Sequence, residues 1–193
     1  MKVDIKIPNV TLGDWTVEGF EVPEGDMSQA IARAMGRRWV PAGKYVGLKR
    51  NGVMVMSNTP DEINDFMPFV NKAHGDILIN GLGLGCVVKA LLEECSVDSI
   101  TIIEKSLDVI AITSPSFNDP RIQIVHADGL EYTPPRGARY DAVWHDIWDY
   151  ITADNLKEMD LFHKKYKSRL KLGGFQMSWC RPECLKLARR GSW

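Results

Sequence analysis

The sequence lacks most of the features that would assign it to a specialised class. No apolar run approaches the length of a membrane span. The first residues, MKVDIKIPNV, scatter charge among apolar positions and hold no signal-peptide core. No charge of one sign dominates: the formal net charge is -1, so no general attraction to nucleic acid or to an anionic membrane is implied. The one basic cluster, Arg189-Arg190 with Lys186 nearby, reads as a solvated tail. Cysteine is scarce, with four residues in 193. Cys86 and Cys95 follow a glycine loop and Cys180 and Cys184 flank a proline, but there is no CxxC and no His at a zinc-type spacing. Reduced thiols in a cytoplasmic protein are expected, and no metal site. Internal repeats are absent, as are the GxSxG, HExxH and Walker A signatures, which removes the readings those motifs carry.

What is present is a pattern. Val3, Ile5 and Ile7 alternate with polar residues and predict a half-buried first strand ended by Pro8. A second strand is expected over Trp15–Val22. Met27, Ala30, Ile31, Ala34 and Met35 recur at helical spacing, with Asp26 or Ser28 as cap and Gly36 as stop. Tyr45–Leu48 and Val53–Met56 flank Asn51-Gly52, a dipeptide suited to the two positive-φ positions of a hairpin turn. Thr59-Pro60-Asp61-Glu62 reads as a capping box, followed by the apolar face of Ile63, Phe66, Met67 and Val70.

From Asp76 strands and helices alternate. Ile77–Ile79 leads through Gly81, Gly83 and Gly85 into a helix over Cys86–Cys95. Ile100–Ile103 precedes a short helix, and Ile122–Val125 and Tyr140–Trp144 are further strands. A long helix over about residues 154–170 is expected to bury Leu156, Met159, Phe162, Tyr166 and Leu170, after which Gly173-Gly174 turns into a last strand, Phe175–Trp179. This alternation predicts an α/β fold: a doubly wound, mostly parallel Rossmann-like sheet with helices on both faces, preceded by a small N-terminal β-hairpin layer. Ligands of such sheets lie outside the carboxyl ends of the strands.

Polar residues stand at those ends. The glycines permit a sharp turn and leave room for a cofactor against the backbone, and the following helix offers free N–H groups to a carboxylate or phosphate. Glu104 closes the second strand of the series, 19 residues after Gly85, where a carboxylate can accept from both hydroxyls of a ribose. Asp128-Gly129 follows the third and can meet an adenine amino group. The fourth runs into YDAVWHDIWDY, which places Asp146, His145 and Asp149 together with Trp144 and Trp148. A carboxylate or imidazole there can take a proton from a nucleophile or steady a sulfonium, and the indoles can wall a pocket. If the strand continued, His145 and Asp146 would point to opposite sides.

With these residues in place the chain resembles the class I S-adenosylmethionine-dependent methyltransferases, and within them the spermidine synthase-like branch. The carriers are ILINGLGLG, TIIEKSLDVI, IQIVHADGLEY and YDAVWHDIWD, within a likeness spanning about residues 44–179. The resemblance implies two parts, a β-rich and helical appendage over residues 1–58 and a Rossmann-like S-adenosylmethionine-binding domain over residues 59–193. It implies Gly81, Gly83 and Gly85 along the methionyl arm, Glu104 on the ribose, Asp128 and Gly129 at the adenine, and Asp146, His145 or Asp149 in catalysis; by register Asp146 matches the acid that helps deprotonate the attacking amine. Leu82 and Leu84 depart from the polyamine synthases' richer glycine motif, an apolar residue near Val55 stands where they carry an amine-binding Gln, and the antiparallel strand pair that often closes the methyltransferase sheet has no counterpart in Arg181–Trp193.

The expected activity is methyl transfer from S-adenosylmethionine to a small nucleophile, with a small-molecule acceptor and no nucleic acid or membrane partner. Aminopropyl transfer from decarboxylated S-adenosylmethionine is the alternative, and a non-catalytic binding module a third reading. A nicotinamide oxidoreductase fits less well, because the third fingerprint glycine would fall on Cys86. Two chains can pair through the exposed strand edges of the N-terminal layer.

Overall fold

The structure, a computed structural model, describes residues 2–190. Two sheets organise it. The N-terminal sheet is antiparallel in the order β1 (Val10–Leu12), β2 (Trp15–Val22), β3 (Gly43–Arg50) and β4 (Val53–Ser57). The second has five strands, β5 (Gly75–Asn80), β6 (Val97–Glu104), β7 (Ile122–His126), β8 (Tyr140–His145) and β9 (Leu170–Ser178), in the order β7-β6-β5-β8-β9 with every pair parallel. The chain leaves β5 for one side of the sheet and returns to its other side with β8. The switch point of this doubly wound sheet therefore lies between β5 and β8.

Period-two alternation distributes the core. Ile77, Ile79, Ile100, Ile102, Ala142 and Trp144 face one side, covered by α2 (Pro60–Val70) and α3 (Cys86–Glu94). Phe69 of α2 lies against Trp144 and Phe175, with ring centroids 5.1 and 5.5 Å away. Leu78, Ile103 and Val143 face the other side, where α5 (Asn155–Lys167) supplies Phe162 and Tyr166. Each Ile, Leu, Val or Phe among them contributes about 1.5–3 kcal/mol on full burial.

The hairpin forms as its turn chemistry requires: Asn51 and Gly52 have φ of 50° and 79°. Asp26 caps α1 (Met27–Ala34) by accepting from Ser28 N and Gln29 N. The periodic face of α1 is nevertheless bare, with Met27 and Ile31 more than half exposed and no residue of the helix buried. Between α3 and α5 the chain also forms α4 (Leu107–Thr113).

Four expectations need correction. Val3, Ile5 and Ile7 are buried in alternation, but their segment forms no ladder; the contact there is from Asn58 Nδ2 to the Val3 carbonyl, 3.0 Å. The capping box does not close: Thr59 Oγ1 pairs with Ser57 Oγ at 2.9 Å and makes no cap bond. The long helix stops at Lys167, and Leu170 together with Gly173-Gly174 belongs to β9, where a register irregularity against β8 absorbs the glycines. The expected tail holds a helix, α6 (Arg181–Arg190), that buries Cys184, while Lys186, Arg189 and Arg190 face solvent; residues 191–193 lie outside the described residues. No helix among the described residues is long and apolar enough to cross a membrane.

Candidate active site

A cleft of about 580 Å³ opens at the carboxyl ends of β5, β6 and β8. Its floor is the glycine loop and its far wall comes from the N-terminal sheet, including Trp15, Arg50 and Met56. The loop is held by main-chain bonds. Gly81 N donates to the Ile103 carbonyl at 2.8 Å, and Asp146 N donates to the Asn80 carbonyl at 2.8 Å. Gly81 has φ of 98°, and a Cβ there would lie 1.9 Å from the carbonyl oxygen of Asp146. Only glycine lets the loop and the acidic segment meet backbone to backbone. Gly83 also lines the cleft, and a Cβ on it would strike the Met56 sulfur at 2.6 Å. Gly85 does not line it; it is the left-handed N-cap of α3, packed under Phe117. The expected sharp turn is present, with φ of 98°, 50° and 73° at Gly81, Gly83 and Gly85, and the space a Cβ would need is taken by the protein's own atoms.

Glu104 leaves the end of β6 and points into the cleft. Its Oε2 accepts from Leu82 N at 2.8 Å and its Oε1 from Ser106 N at 2.7 Å. Each oxygen keeps a lone pair, so the carboxylate is fixed in orientation and still able to accept from a diol. Asp128 and Gly129 line the same side. Asp128 accepts from Lys105 Nζ at 2.8 Å and from Leu130 N at 2.8 Å, and the lysine above all holds its carboxyl below the usual range. Gly129 is required by packing: a Cβ would stand 2.5 Å from Asn80 Oδ1 and 2.8 Å from Phe162.

The parity of β8 separates the expected catalytic residues. His145 does not reach the cleft. It is fully buried on the α5 side among Phe162, His163 and Tyr166, and burial holds its pKa down to about 3, so it stays neutral. Trp144 is core on the opposite side. Asp146 lines the cleft, as does Asp149, which pairs with Arg50 at 3.6 Å. Trp148 lines it too and donates from Nε1 to Glu158 at 2.8 Å. Part of Asp146 is open to the cleft, but surrounding protein withholds water from the carboxyl and pushes its pKa up to about 7. Its one side-chain hydrogen bond is long, 3.4 Å from Trp144 Nε1.

Sequence reasoning missed Glu62. Freed from the capping box, it turns into the cleft, where burial first and the nearby Asp146 second push its pKa up to about 8. The signal was present: Glu62 precedes Ile63 and lies one helical turn before Phe66, both buried, so it borders the inward face of α2. In all, eight acidic side chains, Glu62 and Asp146 with raised pKa values among them, and two cations, Arg50 and Lys105, line the cleft. Such a field favours a cationic ligand. Among the described residues no group of three or more His, Cys, Asp or Glu is placed to hold a metal ion.

No family model matches the chain. A polyamine aminopropyltransferase of Escherichia fergusonii is 25% identical over 122 residues, covering 58% of this chain and 42% of that protein. One from Pyrobaculum neutrophilum is 28% identical over 112 residues, covering 51% and 38%. The matches thus span less than half the length of these relatives. The crystal structure of spermidine synthase from Thermotoga maritima superposes with a TM-score of 0.56 at 22% identity, over 95% of this chain and 61% of that one. At that identity the likeness is one of fold. With its parallel β7-β6-β5-β8-β9 sheet and antiparallel N-terminal sheet, the chain has the class I methyltransferase fold in its spermidine synthase-like form.

Proposed function

We propose that this chain is an S-adenosyl sulfonium-dependent transferase that moves a methyl group to a small nucleophile. The observation that carries the reading is the pair Glu62 and Asp146, two water-poor carboxyls that face the cleft with almost no hydrogen bonding of their own. Buried carboxyls without partners are costly, and a cation beside them recovers that cost. The ligand that suits the site is therefore cationic near the glycine loop and carries a diol for Glu104.

In this reading Glu104 holds the ribose, Asp128 and Gly129 border the adenine, and Gly81 and Gly83 run along the methionyl arm. When bound, the sulfonium supplies an electrophilic carbon and its sulfur leaves as a neutral thioether. Asp146, with a proton affinity near neutrality, accepts the proton that the nucleophile gives up as its lone pair forms the new bond. Glu62 offsets the positive charge before transfer, and the apolar edges of Met56 and Trp179 exclude water. His145, buried under α5, touches no reacting group, and Asp149 steadies Arg50. Residues 59–193 form the cofactor-binding part, and residues 1–58 supply the far wall.

One observation favours a second reading. Glu62 and Asp146 both line the cleft, and the cation that acts on Glu62, Arg38, is taken up by Asp61 and Asp65, a setting that suits a decarboxylated cofactor, whose arm ends in an ammonium alone. Aminopropyl transfer to an amine then replaces methyl transfer. In either case two chains pair through an open edge of the N-terminal sheet, β1 or β4.

Thermal shifts test the reading. S-adenosylmethionine, its decarboxylated form, S-adenosylhomocysteine and NAD are compared on the wild type and Glu104→Ala. At a hundred times its dissociation constant a specific ligand stabilises by about 2.7 kcal/mol. The expected result is a shift with the adenosyl sulfur compounds, lost in Glu104→Ala; a larger shift with the decarboxylated form selects the second reading. No shift at millimolar concentration with any of the three overturns both. Shifts without turnover on amine, phenol and thiol acceptors select a binding module.

A further inference from the structure

The roles assigned above leave unused a chain of polar groups beneath the cleft. It starts at the His163 carbonyl on α5, which accepts from Gln176 Nε2 at 2.9 Å. A carbonyl can only accept, so the Gln176 amide has one orientation, with Oε1 toward His145 Nε2 at 3.2 Å. His145 therefore carries its proton on Nε2 and presents Nδ1 as an acceptor. Asn80 Nδ2 donates to that nitrogen at 3.0 Å, which turns Asn80 Oδ1 toward Tyr166. Tyr166 has one hydroxyl proton and two acceptors, the Gly129 carbonyl at 2.8 Å and Asn80 Oδ1 at 3.1 Å. Asn80, His145 and Tyr166 are all fully buried.

The far end of this chain is the turn expected to meet adenine. Its carbonyls are all held by protein: that of Asp128 by Glu131 N and Tyr132 N at 3.0 and 2.7 Å, that of Gly129 by Tyr166, and that of Leu130 by Lys165 Nζ. Two consecutive side chains of α5 thus grip two consecutive carbonyls of the turn. Asn80 also joins this turn to the glycine loop that follows it and to the residue before Asp146.

We propose that Tyr166 is a positioning residue for the adenosyl end of the cleft: its single proton is shared between the Gly129 carbonyl and Asn80 Oδ1, which the directional chain Gln176–His145–Asn80 turns toward it, so that one hydroxyl ties the turn bearing Asp128 to the end of β5. The inference rests on the proposed adenosyl site and names the device that sets its geometry. It gives the buried imidazole of His145 a task, which is to transmit hydrogen-bond direction in one tautomer.

The test uses the whole chain, 5′-methylthioadenosine as probe and two near-isosteric variants. Tyr166→Phe removes only the hydroxyl and leaves a buried carbonyl unpartnered, so binding weakens about tenfold with the far-ultraviolet circular dichroism unchanged. Asn80→Asp places a carboxylate against His145 Nδ1, so the imidazole takes up a second proton there while Nε2–H still donates to Gln176, and the other carboxylate oxygen draws the tyrosine proton away from Gly129. Imidazole ¹⁵N shifts then change from the Nε2–H to the doubly protonated pattern, and the probe weakens comparably. A merely structural Tyr166 would not couple the imidazole's protonation to binding. Should Tyr166→Phe fail to fold, Asn80→Asp carries the same decision. A wild type in the Nδ1–H form, or binding unchanged in a folded variant, overturns this inference alone. A wild type that binds no adenosyl compound overturns the proposed function, and this inference with it.

Discussion

Glu62→Gln should stabilise the ligand-free protein at neutral pH and flatten its pH profile. In the folded chain the Glu62 carboxyl has its pKa raised from 4.5 to about 8, chiefly by burial. A raised acid pKa means that the folded state binds the proton more tightly than the unfolded state. The associated stability is present below the unfolded value and is lost as pH rises through the interval to the folded one. Between pH 5 and 7 the unfolded carboxyl is largely ionised and the folded one protonated, so stability falls by about 1.4 kcal/mol for each pH unit. Over two units Glu62 alone accounts for about 2 kcal/mol after a discount for its residual exposure. Asp146, raised to about 7 by burial, adds a loss of the same sign. In a chain of 193 residues, 2 kcal/mol corresponds to a fall of about 4–8 °C in Tm. Asp76 and Asp128, whose pKa values their lysine partners lower, act in the opposite sense and only in the acid range. They do not mask the effect. Thermal melts of wild type and Glu62→Gln at half-unit steps from pH 5 to 8 measure it, and a cationic sulfonium should reduce the wild-type slope. Parallel profiles for the two proteins would refute the placement of Glu62 as a buried, unpartnered carboxyl.

Three further outcomes follow from the same geometry. Glu104→Gln turns an acceptor-only carboxylate into an amide that cannot serve both Leu82 N and Ser106 N. Adenosyl-ligand affinity, read by calorimetry, should fall by about 1.5–3 kcal/mol, roughly ten- to hundredfold. Asp146→Asn removes the proposed base, and turnover should drop about 10²–10⁴-fold while adenosyl binding persists; retained turnover would take Asp146 out of that role. Gly81→Ala drives a methyl into the Asp146 carbonyl, 1.9 Å from the new Cβ, and should cost ~3 kcal/mol or more in a denaturant titration.

The fold was legible where period and punctuation agree. Asn51-Gly52, Asp26 and the apolar run Ile77–Ile79 before the glycines each state their structure locally. Val3–Ile7 shows where this runs out, since alternating burial does not tell whether a neighbouring strand edge is free. Gly173-Gly174 is the converse, a turn dipeptide absorbed into β9 because the partner strand tolerates an irregularity there. At the site, Glu104, Asp128 and Asp146 could be placed because each follows an apolar strand. His145 could not, because its side depends on where β8 ends, and one more residue of strand puts it under α5. Glu62 was hidden by a plausible local role: a capping glutamate and a cleft glutamate have the same sequence, and only the three-dimensional choice of Thr59 to bond Ser57 separates them.

The strand order also bears on how the protein is made. The middle strand of the parallel sheet, β5, is the first of the five to leave the ribosome. Its next two partners, β6 and β7, extend the sheet in one direction only. The side of the cleft that carries Glu104 and Asp128 can therefore take shape while β5 still shows a bare apolar edge to the medium. That edge waits for β8, the strand that delivers Asp146, and β9 arrives after a whole helix more. Half-built sheets of this kind are open to pairing with other chains. The nascent chain is thus most open to mispairing just before its acidic segment docks.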